Sequence, residues 1–199
     1  MEHYQKAKEA ACRVLLNSGV AVFPFDIVCL AVSNDIKIFK NTNMNELRDG
    51  ETAVIIYDGK EWYVIYDDTI PSREHKRLAL AHGLGHKALR HDLLIGFTEP
   101  TPKSFLRLTV KQIHARLSIP QEEKEAEAFA RHLLAPLFLL HELNVKIPAD
   151  IARVCQVPIE TAERQAEILE YYRAGNVPVC ELETQLHTQF KGFIEKYCS

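Results

Sequence analysis

The hydrophobic period of this chain changes once, near Pro71-Ser72, and that change limits the fold more than any other feature. Before it, residues 36–40 (Ile-Lys-Ile-Phe-Lys) alternate apolar and polar, the period of a strand. Residues 52–57 and 61–66 are rich in Val, Ile, Tyr and Trp and flank Asp58-Gly59, a strong hairpin signal. After it, Leu78, Ala81, Leu84 and Ala88 recur at helical spacing behind Ser72, a favoured N-cap residue, which predicts a helix to about Leu89. Strands first and helices later predict an α+β fold, with a small antiparallel sheet packed on a helix and a mostly helical C-terminal half.

The remaining elements follow the same signals. Ala7, Ala10, Ala11, Val14 and Leu15 predict a helix over 4–17 that ends at Gly19, and Pro24 opens a short helix over roughly 25–33. A loop around 96–104 and a helix around 104–117 are expected next. Ser118-Ile119-Pro120 introduces a helix from about 121 to 140, followed by helices near 148–155 and 159–172. The tail from 176 has helical patterning over about 181–197.

Composition removes several function classes. A net charge of −3 gives no basic field to gather nucleic acid or anionic lipid. No apolar run has the length to span a bilayer, and the first residues lack the layout of a signal peptide. Cysteines 12, 29, 155, 180 and 198 are odd in number and form no Cys-x-x-Cys pair. Reduced thiols and a cytoplasmic location are expected from that usage.

Residues 82–86 read His-Gly-Leu-Gly-His. Positions four apart share a helix face, so both imidazoles can reach one metal ion. The spacing alone arises easily among nine histidines. Two glycines inside a helix cost about 1 kcal/mol each, so Gly85 is expected to serve a close backbone approach to the sheet. His75, His91 and His114 have no partner spacing and read as ordinary packed or solvent-facing histidines. A third ligand is sought in 121–136, Gln-Glu-Glu-Lys-Glu-Ala-Glu-Ala-Phe-Ala-Arg-His-Leu-Leu-Ala-Pro. Ala126, Phe129, Ala130, Leu133, Leu134 and Leu137 form its apolar stripe. Glu123 and Glu127 fall beside the stripe and Glu125 on the opposite side. A carboxylate held against a core needs a partner or a metal, which makes Glu123 the candidate ligand. Glu127 is the candidate to accept a hydrogen bond from a liganding imidazole and orient it. The same glutamates would also suit a solvated helix start, where the dipole favours them.

Two segments resemble the ImmA/IrrE metallopeptidases. Residues 77–89, Arg-Leu-Ala-Leu-Ala-His-Gly-Leu-Gly-His-Lys-Ala-Leu, are similar to that family's zinc helix, in which Ala-His-Glu-Leu-Gly-His is followed by apolar residues. Glu123-x-x-Ala126-x-x-Phe129-Ala130-x-x-Leu133-Leu134-x-Pro136 resembles its second signature. The resemblance runs to about residue 172 and implies a zincin-like fold. It divides the chain into a metallopeptidase-like domain (1–142), a helix-turn-helix-like appendage (143–175) and a tail (176–199). It implies Zn2+ held by His82, His86 and Glu123. Residues 61–66, with Tyr63, Val64 and Ile65, would be the edge strand that pairs with an extended protein substrate. The implied substrate is a partner transcriptional repressor, of helix-turn-helix type, that controls a mobile element or a stress response.

The departure falls at position 83, where the family has the glutamate that acts as general base and this chain has Gly83. General acid–base catalysis contributes about 10²–10⁴-fold, and glycine has no group to supply it. The chain as written is therefore expected to be inactive, either as a natural zinc-binding pseudo-peptidase that binds a regulator without cutting it or as an inactivated peptidase. The His86–Glu123 spacing also looks longer than usual, as if the segment around 104–117 were an insertion over the cleft. A third reading is a helix-turn-helix DNA-binding regulator, since residues 147–172 have that pattern. Its second helix carries Glu160, Glu163, Glu167 and Glu170 against Arg164, so direct nucleic-acid binding is not expected.

Overall fold

In a computed structural model of the chain, the residues described are 2–41, 53–57, 59–67, 69, 72–91 and 120–198. Their fold is α+β, mostly helical, around one small sheet. Helix α1 (Glu2–Ser18) buries Ala7, Ala10, Ala11, Val14 and Leu15, the stripe its periodicity announces. Asp26 caps α2 (Ile27–Ser33), its carboxylate accepting from the amides of Val28 and Cys29. Strands β1 (Ile36–Asn41), β2 (Ala53–Tyr57) and β3 (Trp62–Asp67) follow. The predicted helix around 104–117 and loop around 96–104 lie outside the described residues, as does His114.

The sheet is mixed, which corrects the expectation of an antiparallel one. Its order is β1-β3-β2, with β3 antiparallel to β2 and parallel to β1. The hairpin pairs Tyr57 with Trp62, and β1 then pairs Ile36 with Trp62 on the far side. This overturns the edge-strand role of Tyr63, Val64 and Ile65. They lie on the central strand, with ladder partners on both sides, and are buried. A strand covered on both faces reads as a continuous apolar run, as Trp-Tyr-Val-Ile-Tyr does. Among the described residues, the edges are β1 and β2.

Helix α3 (Arg73–Leu89) starts at Ser72, whose hydroxyl accepts from the amide of His75. Its first turns are anchored by buried Arg77, which donates to the carbonyls of Phe25 and Gln156. The single helix predicted over 121–140 is two: α4 (Pro120–Leu134) and α5 (Leu137–Glu142). Pro136 has no N–H and disfavours a helical residue before it. The carbonyl of Ala135 left free by the break accepts from buried Gln165, 2.5 Å away on α7. Helices α6 (Pro148–Cys155), α7 (Ile159–Arg173) and α8 (Glu181–Cys198) complete the chain close to the predicted spans. Leu186 and Phe190 of α8 are fully buried in the same core as α1 and α5. No helix among the described residues is long and apolar enough to cross a membrane, and all five cysteines are free.

Helix α3 lies between the sheet and α4, and its two glycines make both contacts. A Cβ at Gly83 would sit 2.7 Å from Cγ2 of Val64 and 3.1 Å from Cδ1 of Ile55. One at Gly85 would sit 2.9 Å from Cδ1 of Phe129 and 3.1 Å from the carbonyl oxygen of Ala126. Gly85 therefore serves the approach to α4, not to the sheet as expected; Gly83 is the glycine against the sheet.

Candidate metal centre

Because Gly85 lets α3 sit almost on the backbone of α4, side chains beside it on α3 can meet those of α4 across the gap. His82 and His86 project from α3 and Glu123 from the first turn of α4. Their ligand atoms lie within 4.8 Å of one another. Nε2 of His86 is 2.9 Å from Nε2 of His82 and 3.6 Å from Oε1 of Glu123, and Nε2 of His82 is 3.2 Å from Oε2 of Glu123. Two ligands at about 2.0–2.1 Å from a tetrahedral ion are themselves about 3.3 Å apart. The three separations straddle that value, so this cluster could hold a metal ion with small adjustments.

Exposure is graded across the site. The side chain of His86 is 1% exposed, that of His82 30% and that of Glu123 44%. The His86 side is closed by protein and the His82–Glu123 side opens outward. Burial pushes the His86 imidazole below its ordinary range, a shift that Glu123 opposes without cancelling. Burial also acts to raise the Glu123 carboxyl, but the His82 and His86 imidazoles beside it outweigh that and hold the group well below the usual carboxylate range. An anionic Glu123 beside a neutral His86 is the protonation state a cation requires of its ligands.

The structure brings together His82, His86 and Glu123 and leaves Glu127 out. Four residues advance a helix by about 400°, so Glu127 lies about 40° further round than Glu123 and leaves the buried face. Its side chain is 62% exposed and pairs with Arg131 at 2.5 Å. The group behind His86 is instead His91, with Nδ1 to Nδ1 at 3.0 Å. Nε2 of His91 is 3.3 Å from Oε2 of Glu125. His91 and Glu125 are both 5% exposed; His91 is a packed histidine, one of the two expected readings, with a partner at a spacing not foreseen. Glu125 flanks the apolar stripe of α4 on the side opposite Glu123, where it also meets Lys6 of α1 and Gln121.

His91 reaches His86 through the end of α3. Arg90 closes the helix in the left-handed region, at φ 58° and ψ 42°. The amide of His91 then donates to the carbonyl of His86 at 3.0 Å, and its ring folds back under the last turn. A helix-face pattern cannot find a five-residue spacing. The signal was the stop itself, Leu89-Arg90-His91, which lacks the glycine that usually marks this turn. His75 behaves as expected, paired with Glu160 of α7 at 3.0 Å and exposed. On α7, Arg164 is engaged by Glu167 at 2.7 Å.

No model of a known protein family matches the chain, and no curated protein matches it.

Proposed function

We propose that the chain is a zinc-binding protein of the metallopeptidase type, similar to the ImmA/IrrE proteins, that engages a partner regulator without cleaving it. One observation carries this reading: two imidazole nitrogens and one carboxylate converge from two helices at separations suited to a tetrahedral ion. Two histidines and a carboxylate form a ligand set familiar from zinc sites that keep one position open. The ion would supply Lewis-acid activation of water in such a site.

The loss of cleavage is supported by the surroundings of Gly83. Position 83 is buried against Val64 and Ile55, so glycine there is a packing residue as well as a missing base. The implied partner is a helix-turn-helix repressor. The zincin-like architecture, the cytoplasmic location and the absence of direct nucleic-acid contact belong to the same proposal. A second reading, a weak hydrolase, draws support from the open His82–Glu123 side.

The first test is zinc per chain by mass spectrometry, in the protein and in Glu123→Ala. The expected result is near one ion in the protein and a large loss in the variant. No ion in either would sink the reading. Incubation of the zinc-loaded protein with candidate repressors separates binding from cutting. A stable complex of intact chains is expected, and a cleaved partner would favour the hydrolase.

A further inference from the structure

Behind His86, four side chains from three elements form a single hydrogen-bonded line. Nδ1 of His86 faces Nδ1 of His91 at 3.0 Å, Nε2 of His91 faces Oε2 of Glu125 at 3.3 Å, and the same oxygen faces Nζ of Lys6 at 3.3 Å. Gln121 donates to the other Glu125 oxygen at 3.1 Å. Glu125 stands at its junction, with an ammonium and an amide already donating to it.

With each imidazole carrying one N–H, the direction of every bond follows from that junction. A carboxylate is an acceptor, so the proton between Glu125 and His91 sits on Nε2 of His91. With one N–H on each ring, Nδ1 of His91 is bare and accepts. The proton between the two rings therefore sits on Nδ1 of His86. That leaves the lone pair of His86 Nε2 directed at the point where His82 and Glu123 converge. Ligating imidazoles are commonly oriented by a hydrogen bond to the opposite nitrogen; here another histidine makes it, held in turn by a carboxylate.

We infer that His91 is a positioning residue for the metal centre: with Glu125 and Lys6 behind it, it fixes the tautomer and ring plane of His86 so that Nε2 is presented to the ion. The inference rests on the metal-binding reading of His82, His86 and Glu123. His91 does not touch the ion. It sits at the closed end of the site, so its effect is on affinity and not on access.

The test is zinc affinity by competition with a chromophoric chelator, using the full chain. His91→Phe keeps the ring volume and removes the acceptor, and is expected to weaken zinc binding by about 10–100-fold. His91→Gln, whose carbonyl can accept from His86 while its amide donates to Glu125, is expected to recover most of that loss. Glu125→Ala leaves His91 in place, frees its tautomer and is expected to weaken binding as well. Melting of each metal-free variant in chelator identifies any that has simply unfolded. In the zinc-loaded protein, nitrogen-15 spectra are expected to show His91 protonated on Nε2. His91→Phe and Glu125→Ala chains that are folded and bind zinc as tightly as the unaltered protein would overturn the inference. So would X-ray absorption showing three imidazole ligands of which His91→Phe removes one. An unaltered protein that binds no zinc fails the metal-binding reading itself, and the role of His91 with it; zinc bound equally by all variants fails the role alone.

Discussion

His132 packs edge-on against the ring of Tyr4, centroids 4.6 Å apart, and its Nε2 has no hydrogen-bond partner among the described residues. Burial lowers its pKa from 6.5 to about 3. Between those values the unfolded chain takes up a proton that the folded chain refuses, so folding stability falls as pH falls. One such group contributes a slope of about 1.4 kcal/mol per pH unit. Urea unfolding of His132→Phe between pH 6.5 and 3.5 is expected to show a shallower acid loss than the unaltered protein; parallel curves would contradict a buried neutral histidine. At this scale the sequence displays Glu123, because a carboxylate next to Ala126 and Ala130 conflicts with an apolar stripe. It hides His91, because the contact depends on a left-handed Arg90 that no residue type announces. Glu127 misleads for a related reason: one helix turn overshoots the stripe by enough to turn a side chain into water.

Between elements, the contact of α3 with the sheet sets what position 83 can hold. A glutamate there must push Cγ2 of Val64, a stiff β-branched methyl, from a 2.7 Å clash. Overpacking of this kind costs about 1–3 kcal/mol, while replacing a helical glycine returns about 1 kcal/mol. Gly83→Glu is therefore expected to lower stability by about 1 kcal/mol. Val64→Ala made in that background is expected to lose less than Val64→Ala alone, as paired denaturant titrations would show. Additive losses would mean that the glutamate escapes the sheet. Helix spans were readable from caps and periodicity, as Ser72 and Asp26 illustrate. The break at Pro136 was readable too, yet the apolar stripe running through Leu137 outweighed it. The α4 contact of Gly85 was not, since a glycine shows that something comes close without saying what.

For the whole molecule, the tail is tied in by a charge pair inside the core. Lys8 of α1 is 1% exposed and meets Glu183 of α8, 4% exposed, at 2.8 Å, while also donating to the carbonyl of Pro178 at 2.7 Å. Removing one member of a buried pair strands the other and costs about 3–5 kcal/mol, whereas replacing both with apolar residues is often neutral. Lys8→Ala is expected to fall in the first range and Lys8→Met with Glu183→Leu well below it, by denaturant unfolding. Equal losses would show that stranding Glu183 costs nothing beyond the loss of the pair itself. Neither this pairing, across 175 positions of sequence, nor the parallel register of β1 with β3 could be read in advance. Local periodicity says which residues are buried and not which distant segment buries them.

The fit of Gly83 against Val64 and Ile55 also bears on how the site can change. A glutamate at that position would meet a filled sheet. A smaller residue at Val64 or Ile55 would make room for it, at the expense of the core that these side chains now fill. On the proposed reading, a base at position 83 carries a packing cost at that contact, while changes elsewhere that tune binding alone carry none of it.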